Sequence, residues 1–438
     1  MERRARRGVL AGSALALSVS VAGCGIAPDP ADAELSEGEV TLTMTWWGAD
    51  ARHQSTLDAI ELFEEKYPRI TVEPTYADWG GYWDRLATTA AAGDMPDVVQ
   101  FDQLYLSSYA GRGALLDLDA VPEFLDASSL PGNVLASGEV DGSLYAVPIG
   151  VAGNGVVLNT SLFEKYDVPV PDTDTWTWAE FDAAAQAITE ASGGKVRGLS
   201  PFGADSFSLE VFARQQGDQI FDAEGDVAGS IATVAAYWQR ELDWIESGAA
   251  PDAASLSEKA GVPLDQGDTV VGNTAMAFIA AGQFTAIAAA APDFEYEVAD
   301  WPSDPDTPEG FQYPKPSMYW AASSQSEHPA EAALLIDFLV NDPQVAHAFG
   351  TERGIPASEA FQEALEPTLD EPAKKLLDFT QLVAERSGDA PPITPNGASE
   401  IETMLSRYNQ QVQFGKLSPQ EAAAAFIEEL QSAVDAAG

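Results

Sequence analysis

The sequence contains a single cysteine, Cys24, among 438 residues. One cysteine cannot form a disulfide within one chain, so the fold must be stabilised by its hydrophobic core. Hydrophobic residues make up 45% of the sequence, which is sufficient for such a core. The length is sufficient for two domains. Stability is therefore expected to depend on core size rather than on covalent cross-links.

Basic residues are also scarce. The sequence has 22 Lys and Arg against 69 Asp and Glu, which gives a formal net charge of −47. Cleavage before Cys24 would remove four Arg and one Glu, and the remaining chain would carry about −50. This charge excludes general binding to nucleic acid, whose phosphates would be repelled, and it argues against docking on anionic lipid. We interpret the excess as a solvated acidic coat that keeps the protein soluble, with an acidic site for a polycation as the alternative.

Histidine is rare as well, and His53, His328 and His347 are scattered along the chain. This distribution disfavours a His-rich metal site or a Ser-His-Asp triad. The sequence has no G-x-S-x-G motif, no P-loop and no Gly-rich dinucleotide motif. We therefore expect no metal, no cofactor and no enzymatic activity, and any ATP hydrolysis would belong to a separate subunit.

No long hydrophobic run follows residue 21, so we expect the mature chain to be soluble. The N-terminus combines two arginine pairs within residues 3–7, an apolar run at 9–21 and small residues before Cys24. It resembles a bacterial lipoprotein signal peptide covering residues 1–23. The resemblance implies that Cys24 carries lipid, palmitate included, and anchors the chain to the outer face of the cell membrane. An ordinary signal peptide with a buried thiol is the alternative, and both Sec and twin-arginine export stay open.

The segment after the signal is polar, acidic and contains proline, so residues 24–38 are predicted to form a flexible linker. From Val40 onward, short β-branched or aromatic runs alternate with segments of helical spacing. Strands are predicted at 40–47, 70–76 and 97–101, and helices at 53–67, 83–92 and 105–111. This alternation predicts an α/β fold in which a parallel sheet has helices on its faces.

Turn and cap signals mark several further elements. Asp141-Gly142 predicts a type I′ hairpin turn. The sequences TWAE at 177–180 and SPQE at 418–421 are capping boxes that predict helix starts. Further helices are predicted at 181–191, 227–247, 330–340, 374–386 and 400–414, and short strands at 156–158, 274–279 and 319–322.

Several segments, in this order and spacing, resemble the extracellular solute-binding proteins of ABC sugar importers, a group that includes maltose-binding protein. They are LTMTWWG at 42–48, FEEKYP at 63–68, GDMPDVVQFD at 93–102, GRGALLDL at 111–118, DGSLYAVP at 141–148, TWTWAEF at 175–181, TAMAF at 274–278 and AEAALLIDFL at 330–339. No single segment is diagnostic, and the resemblance extends over nearly all of the mature chain.

The resemblance implies a two-lobed periplasmic-binding-protein fold of type II, in which the chain crosses the hinge more than once. By analogy, residues 39–150 plus 277–318 would form the N-terminal lobe, and residues 151–276 plus 319–438 the C-terminal lobe. A sugar would bind in the interlobe cleft, close it by hinge bending, and be delivered by a monomeric binding protein to the transmembrane permease subunits.

A sugar needs directional polar groups for its hydroxyls and flat aromatic rings for its C–H faces. Residues of both kinds follow predicted strand ends and interlobe crossings, where open α/β sheets place ligands. Trp46, Trp83, Trp176, Trp178, Trp238 and Trp244 are assigned to the core instead. The candidate ligand-binding residues are Trp47, Asp50, Trp79, Tyr82, Asp102, Tyr105, Asn154, Phe207, Trp320 and Arg353.

Each candidate also has a structural alternative. Asp102 would serve as a helix cap, Asn154 would satisfy a turn between Gly153 and Gly155, and Arg353 would pair with surface acids.

Three other functions stay open. A glycoside hydrolase would need two carboxylates flanking the cleft, and a surface adhesin would more often be all-β. A binding protein for a polyol phosphate would need arginines or a bare helix N-terminus, and one for a polyamine would need clustered acids, so a neutral sugar fits better.

Overall fold

The computed structural model describes residues 33–437. The expected signal peptide, Cys24 and residues 25–32 of the expected linker lie outside the described residues. The described chain forms two α/β lobes, each built around its own sheet. Within residues 33–437, no helix is both long enough and apolar enough to cross a membrane.

The first lobe starts with the predicted alternation of strands and helices. Strand β1 has the predicted bounds and pairs in parallel with β2 along its whole length, from Val40 opposite Ile70 to Trp47 opposite Ala77. The elements are β1 Val40–Trp47, α1 Asp50–Lys66, β2 Ile70–Ala77, α2 Trp79–Ala92, β3 Val98–Phe101, α3 Gln103–Gly111, α4 Gly132–Leu135, β4 Glu139–Val140, β5 Ser143–Leu144 and β6 Ala146–Ala152.

The chain then enters the second lobe. Helix α6 begins at the predicted capping box, because the Thr177 side chain accepts from the Glu180 backbone while the Glu180 carboxylate accepts from the Thr177 backbone. The elements are β7 Asn154–Asn159, α5 Thr160–Lys165, α6 Trp178–Ala191, β8 Arg197–Ser200, α7 Ser206–Gln215, α8 Ile231–Glu246, α9 Ala253–Lys259, β9 Thr274–Ala280, α10 Phe284–Ala290 and β10 Tyr296–Ala299.

The chain returns to the first lobe and finally ends in the second. The first-lobe elements are β11 Lys315–Ala322, α11 Pro329–Asn341, α12 Pro343–Phe349, β12 Ile355–Pro356 and α13 Glu359–Leu365. The last helices are α14 Glu371–Arg386, α15 Ile401–Gln413 and α16 Pro419–Ala437.

The predicted lobe boundaries in the second half of the chain were wrong. Residues 277–318 were expected in the first lobe, but β9 and β10 both pair with β7 of the second-lobe sheet. Residues from 319 onward were expected in the second lobe, but β11 pairs with β3 and β6, and the buried face of α11 joins the first-lobe core. The pairing partners of these short strands are distant in sequence, so strand patterns alone do not specify them.

The sheets are mixed rather than wholly parallel. The strand order is β12-β6-β11-β3-β1-β2 in the first lobe and β10-β7-β9-β8 in the second. Strands β1, β2 and β3 are parallel as predicted, whereas β11 is antiparallel to both of its neighbours. Between β4 and β5, Asp141 and Gly142 have φ of 53° and 83°, and both positive values agree with the predicted type I′ turn.

Gly153 lies at the first crossing between the lobes, where the backbone is closely packed. A Cβ on Gly153 would lie 2.8 Å from Val383 Cγ2, and one on Gly155 would lie 2.9 Å from Phe379 Cζ. Neither glycine has a positive φ. Helix α14 packs directly against this crossing, and only glycine leaves enough room at residues 153 and 155 for that close approach.

The end of the expected flexible linker is attached to the first lobe. The Ser36 backbone N–H donates to Glu331 Oε1 at 2.6 Å, and the backbone carbonyl of Glu37 accepts from Arg69 at 2.7 Å. Glu331 lies on α11 and is buried. The prediction of a flexible segment reaching residue 38 was therefore wrong for its last residues.

Candidate functional site

A cleft of about 330 Å³ lies between the lobes. The carboxyl ends of the parallel strands β1 and β3 open into it, which is where open α/β sheets place ligands. Its volume falls in the range of small-molecule sites. Among the sequence candidates, the cleft is lined by Trp47, Trp79, Asp102, Phe207 and Arg353.

Trp47 and Trp79 form an aromatic wall on the first-lobe side. Their rings meet edge to face, with centroids 5.0 Å apart. Trp47 is buried, whereas Trp79 is 40% exposed and offers its ring to the cleft. They belong to a group of five contacting rings that we call the cleft aromatic cluster: Trp47, Trp79, Tyr82, Trp83 and Tyr105. Trp46, on the opposite face of β1, is fully buried and donates to His53 Nδ1 at 3.1 Å, as expected for a core residue.

Helix α2 begins at Trp79 rather than at the predicted residue 83. The Asp78 carboxylate accepts from the Gly81 backbone N–H at 2.9 Å and caps α2, which therefore starts at Trp79. This first turn directs Tyr82 inward, where its hydroxyl donates to the Gln100 carbonyl and burial raises the tyrosine pKa. Tyr82 supports Trp47 from below and does not line the cleft, contrary to the expectation.

Asp102 combines the two roles considered for it. Its Oδ1 accepts from the Leu104 backbone N–H at 2.9 Å and caps α3, and the residue also lines the cleft. Tyr105, one turn further, stacks on Trp83 with centroids 3.8 Å apart. It lies behind the cleft wall, so its expected ligand contact is replaced by support of the cleft aromatic cluster.

Asn154 and Trp320, expected at the two crossings to meet ligand, are both fully buried. Asn154 Nδ2 donates to Ser208 Oγ at 3.0 Å, and its Oδ1 accepts from Trp301 Nε1 at 3.0 Å. Asn154 therefore joins β7 to α7 inside the second lobe. Trp320 lies in the first-lobe core below Arg353, whose guanidinium is 5.6 Å from its ring centroid.

Asp50 is also outside the cleft lining, although it follows Trp47 closely in sequence. Helix α1 begins at Asp50 rather than at the predicted residue 53, so its side chain is exposed on the first helical turn. A carboxylate at this position interacts favourably with the helix dipole. Its expected role as a hydroxyl acceptor therefore gives way to a local effect on α1.

Arg353 lines the cleft but is almost entirely buried. Its Nη2 donates to Thr56 Oγ1 at 2.7 Å, and its guanidinium lies 4.4 Å from the Phe349 ring centroid. Burial, and secondarily the nearby Arg52, lowers its pKa to about 9. Most of its donors are used internally, so Arg353 holds the wall of the cleft together.

Five further charged residues line the cleft and were not among the sequence candidates: Arg52, Asp205, Lys315, Glu352 and Glu402. A cap signal could have identified Asp205, since it accepts from the Phe207 and Ser208 backbone N–H groups at the start of α7. Glu402 is one of many acids in a predicted helix and has no distinguishing sequence signal.

The charged residues of the cleft fall into two groups. On the first-lobe side, Arg52 Nε lies 2.9 Å from Glu352 Oε2, and Arg353 Nη1 lies 3.6 Å from the same oxygen. Across the cleft, Glu402 lies near Asp205 and Asp102. Burial and these two like charges raise the pKa of Glu402 to about 7. The first group has two cations and one carboxylate, whereas the second has three carboxylates that form no ion pair within the described residues.

The arrangement can hold a small polar molecule with a flat apolar face. Such a face can pack on Trp79, and Phe207 lies across from it in the second-lobe wall. Hydroxyl groups can donate to the carboxylates of Asp102 and Glu402. Because the walls belong to different lobes, a molecule that contacts both walls favours the closed conformation.

Solved structures share this fold. An oligogalacturonide-binding protein from Yersinia enterocolitica, solved with saturated digalacturonic acid, is 23% identical with a TM-score of 0.81, covering 91% of this chain and 100% of that one. A receptor of Streptomyces glaucescens, solved with acarbose, is 20% identical with a TM-score of 0.76, covering 91% of this chain and 99% of that one. At these identities the likeness concerns the fold alone.

Two sequence comparisons add to this. An uncharacterised lipoprotein of Streptomyces antibioticus is 26% identical over 157 residues, and the match spans 35% of each chain, about a third of that relative's length. The family model described as bacterial extracellular solute-binding protein matches residues 50–346, well over half of the chain. The match includes the second-lobe sheet, four of the six first-lobe strands and most of the cleft wall. The chain therefore belongs to the bacterial extracellular solute-binding proteins.

Proposed function

We propose that this protein binds a sugar or short oligosaccharide in the interlobe cleft and delivers it to the permease of an ABC importer. The exposed ring of Trp79, set in a wall opposite Asp205 and Glu402, is the observation that carries this proposal. The Trp79 ring offers a surface for the apolar face of a sugar, and the two carboxylates offer acceptors for its hydroxyls. Two structural relatives were solved with saccharide ligands, which agrees with it.

We further propose that the protein acts at the outer face of the cell membrane, held there by lipid on Cys24. The N-terminal signal pattern supports this, as does the description of the Streptomyces antibioticus relative as a lipoprotein. The described fold is compatible with such a tether, because Ser36 attaches the start of the chain to α11 of the first lobe. The second lobe is then free to close over ligand without moving the anchor.

Binding without chemical change is the third part of the proposal. A thermal-shift screen of mono- and oligosaccharides should identify a sugar that raises the melting temperature, because a ligand stabilises the folded state that binds it. Chromatography of the sugar after prolonged incubation should recover it unchanged. A shortened or rearranged sugar would identify a hydrolase instead, and no response to any sugar would contradict the substrate class.

A further inference from the structure

Resting on the proposed function, we propose that the bound saccharide carries a protonated amine, held between Asp102 of the first lobe and Asp205 and Glu402 of the second. The ligand would therefore be an amino-substituted sugar rather than a neutral one. Its ring would pack on Trp79 while the ammonium group lies among the three carboxylates.

The first argument is that these carboxylates lack a cationic partner. Within residues 33–437, no Lys, Arg or His nitrogen lies within 4.0 Å of Asp102, Asp205 or Glu402. Arg52 and Arg353 are both occupied by Glu352. Lys315 also lines the cleft and its charge acts to lower the pKa of Glu402, but it forms no ion pair with that residue, and its Nζ lies over the Phe207 ring, 5.8 Å from the centroid. The three carboxylates therefore have no direct ion-pair partner among the described residues, and Lys315 acts on Glu402 only through its nearby charge.

The second argument concerns hydrogen bonding. Asp102 uses Oδ1 to accept from Leu104, and Glu402 uses Oε1 to accept from Ser206 Oγ at 3.2 Å. The other carboxylate oxygen of each residue accepts no hydrogen bond from residues 33–437, although both residues line the cleft. An ammonium group has three N–H donors and no acceptor, which matches these two free oxygens. Asp205 contributes its charge, because its two oxygens already accept from Phe207, Ser208 and Asn154. A hydroxyl could satisfy one such oxygen but would leave the charge in place.

The third argument comes from closure. Asp102 is on one wall, whereas Asp205 and Glu402 are on the other, so closing an empty cleft brings like charges together in an environment that excludes water. Their mutual effect is already visible in the raised pKa of Glu402. A cation between the walls turns this repulsion into attraction, and charge-assisted hydrogen bonds are the strong ones. An amine-bearing ligand would therefore favour the closed state more than its hydroxyl counterpart.

The test compares sugars that differ in whether they carry a free amine. Melting temperatures and calorimetric affinities would be measured for glucosamine, glucose and N-acetylglucosamine, and for chitosan tetraose, cellotetraose and the N-acetylated chito-tetraose. Maltotetraose, digalacturonate and spermidine complete the set. We expect an amine-bearing saccharide to bind at least tenfold more tightly than its matched neutral forms, with an affinity that falls as salt is added.

The outcomes separate this inference from the proposed function. If a neutral or acidic saccharide binds best, the amine is excluded while sugar binding stands. If spermidine binds best, or nothing in the set binds, both proposals are overturned.

Two variants address the residues themselves. Glu402→Gln and Asp102→Asn keep the shape and one hydrogen-bonding oxygen but remove a charge, and asparagine still caps a helix. Each should weaken binding of the amine-bearing saccharide at least tenfold more than it weakens binding of the neutral analogue, because only the amine loses a charge-assisted hydrogen bond. Glu428→Gln, the same change on an exposed residue of α16, is the matched control and should alter neither. Equal affinities in wild type and both variants would overturn the inference.

Discussion

Each lobe contains a cluster of contacting aromatic rings, but only the cleft aromatic cluster has a ring exposed to solvent. In the cleft aromatic cluster, Trp79 is 40% exposed. In the other, every ring is buried, and Phe202 and Trp301 stack with centroids 5.2 Å apart and an interplanar angle of 7°. We call this group the second-lobe aromatic cluster: Trp178, Phe202, Trp244, Phe278 and Trp301.

The indole N–H groups show the difference most clearly. In the second-lobe aromatic cluster each donates to a protein oxygen: Trp178 to Gln215 at 3.1 Å, Trp244 to Asp182 at 2.7 Å, and Trp301 to Asn154 at 3.0 Å. Within residues 33–437, the tryptophans of the cleft aromatic cluster donate to no acceptor, and Trp83 Nε1 is buried without one. In the second-lobe aromatic cluster every indole donor is satisfied, whereas the cleft aromatic cluster has indole donors without an acceptor among the described residues, and two of its rings, Trp47 and Trp79, line the cleft.

The largest expected effect comes from Trp301→Ala. Truncation of a fully buried ring leaves a cavity and should cost about 3–5 kcal/mol of unfolding free energy. It also leaves Asn154 Oδ1 without its donor. Urea unfolding would measure the loss, with Trp301→Phe as a control that retains most of the ring. A loss below about 1 kcal/mol, the scale of an ordinary surface change, would contradict the distinction between the two clusters.

The second-lobe core also contains a buried acid, and Glu241→Gln tests its effect. Glu241 accepts from the Gly203 backbone N–H at 2.8 Å, and burial raises its pKa to about 7. The folded state therefore binds this proton more tightly than the unfolded state, so the stability it contributes is present below about pH 4.5 and lost as the pH rises through 7. The full loss is on the order of 3 kcal/mol.

Glutamine cannot ionise, so Glu241→Gln should stabilise the protein at pH 8 relative to wild type and change little at pH 4.5. Urea midpoints at both pH values would show this, with the exposed Glu428→Gln as the control. An equal effect of Glu241→Gln at both pH values would mean that the carboxyl does not titrate in this range.

Much of this architecture can be predicted from sequence where the signal is local. Strand β1 has the predicted bounds, and the hairpin at Asp141-Gly142 and the cap at Thr177 depend on a few adjacent residues. The assignment of β9, β10 and β11 to sheets could not be predicted, because it depends on partners more than 100 residues away. Periodicity identifies a strand but not its neighbour.

The residues of the site were likewise predictable where the signal is local and unpredictable where it depends on distant contacts. Trp47 was expected in the cleft wall and Trp46 in the core because adjacent strand residues point to opposite faces, and the structure places them so. Asn154 was expected to meet ligand or to satisfy a turn, but its partners Ser208 and Trp301 belong to other parts of the chain. Whether a polar residue is satisfied internally depends on such distant contacts.

The next expected effect is on ligand binding. Trp79→Ala removes the exposed ring of the cleft aromatic cluster and should weaken binding of the identified sugar about tenfold to a hundredfold, or about 1.4–2.8 kcal/mol. Because the ring is partly exposed, the unfolding free energy should fall by less than about 1 kcal/mol. Calorimetry and urea unfolding would measure the two quantities on the same preparation. Unchanged affinity, or a loss of stability like that of Trp301→Ala, would place Trp79 in the core rather than in the site.

The smallest expected effect concerns Asp50→Ala, which tests how far the cleft wall extends beyond Trp47. Asp50 is exposed on the first turn of α1 and does not line the cleft, so sugar affinity should stay within twofold of wild type. Loss of its interaction with the helix dipole should lower the unfolding free energy by about 0.5 kcal/mol at low salt, and less at high salt. Asp50→Asn separates the charge from the side-chain volume. A tenfold loss of affinity would instead mean that closure brings the start of α1 to the ligand. Asp50 would then belong to the binding surface, although it does not line the cleft in this structure.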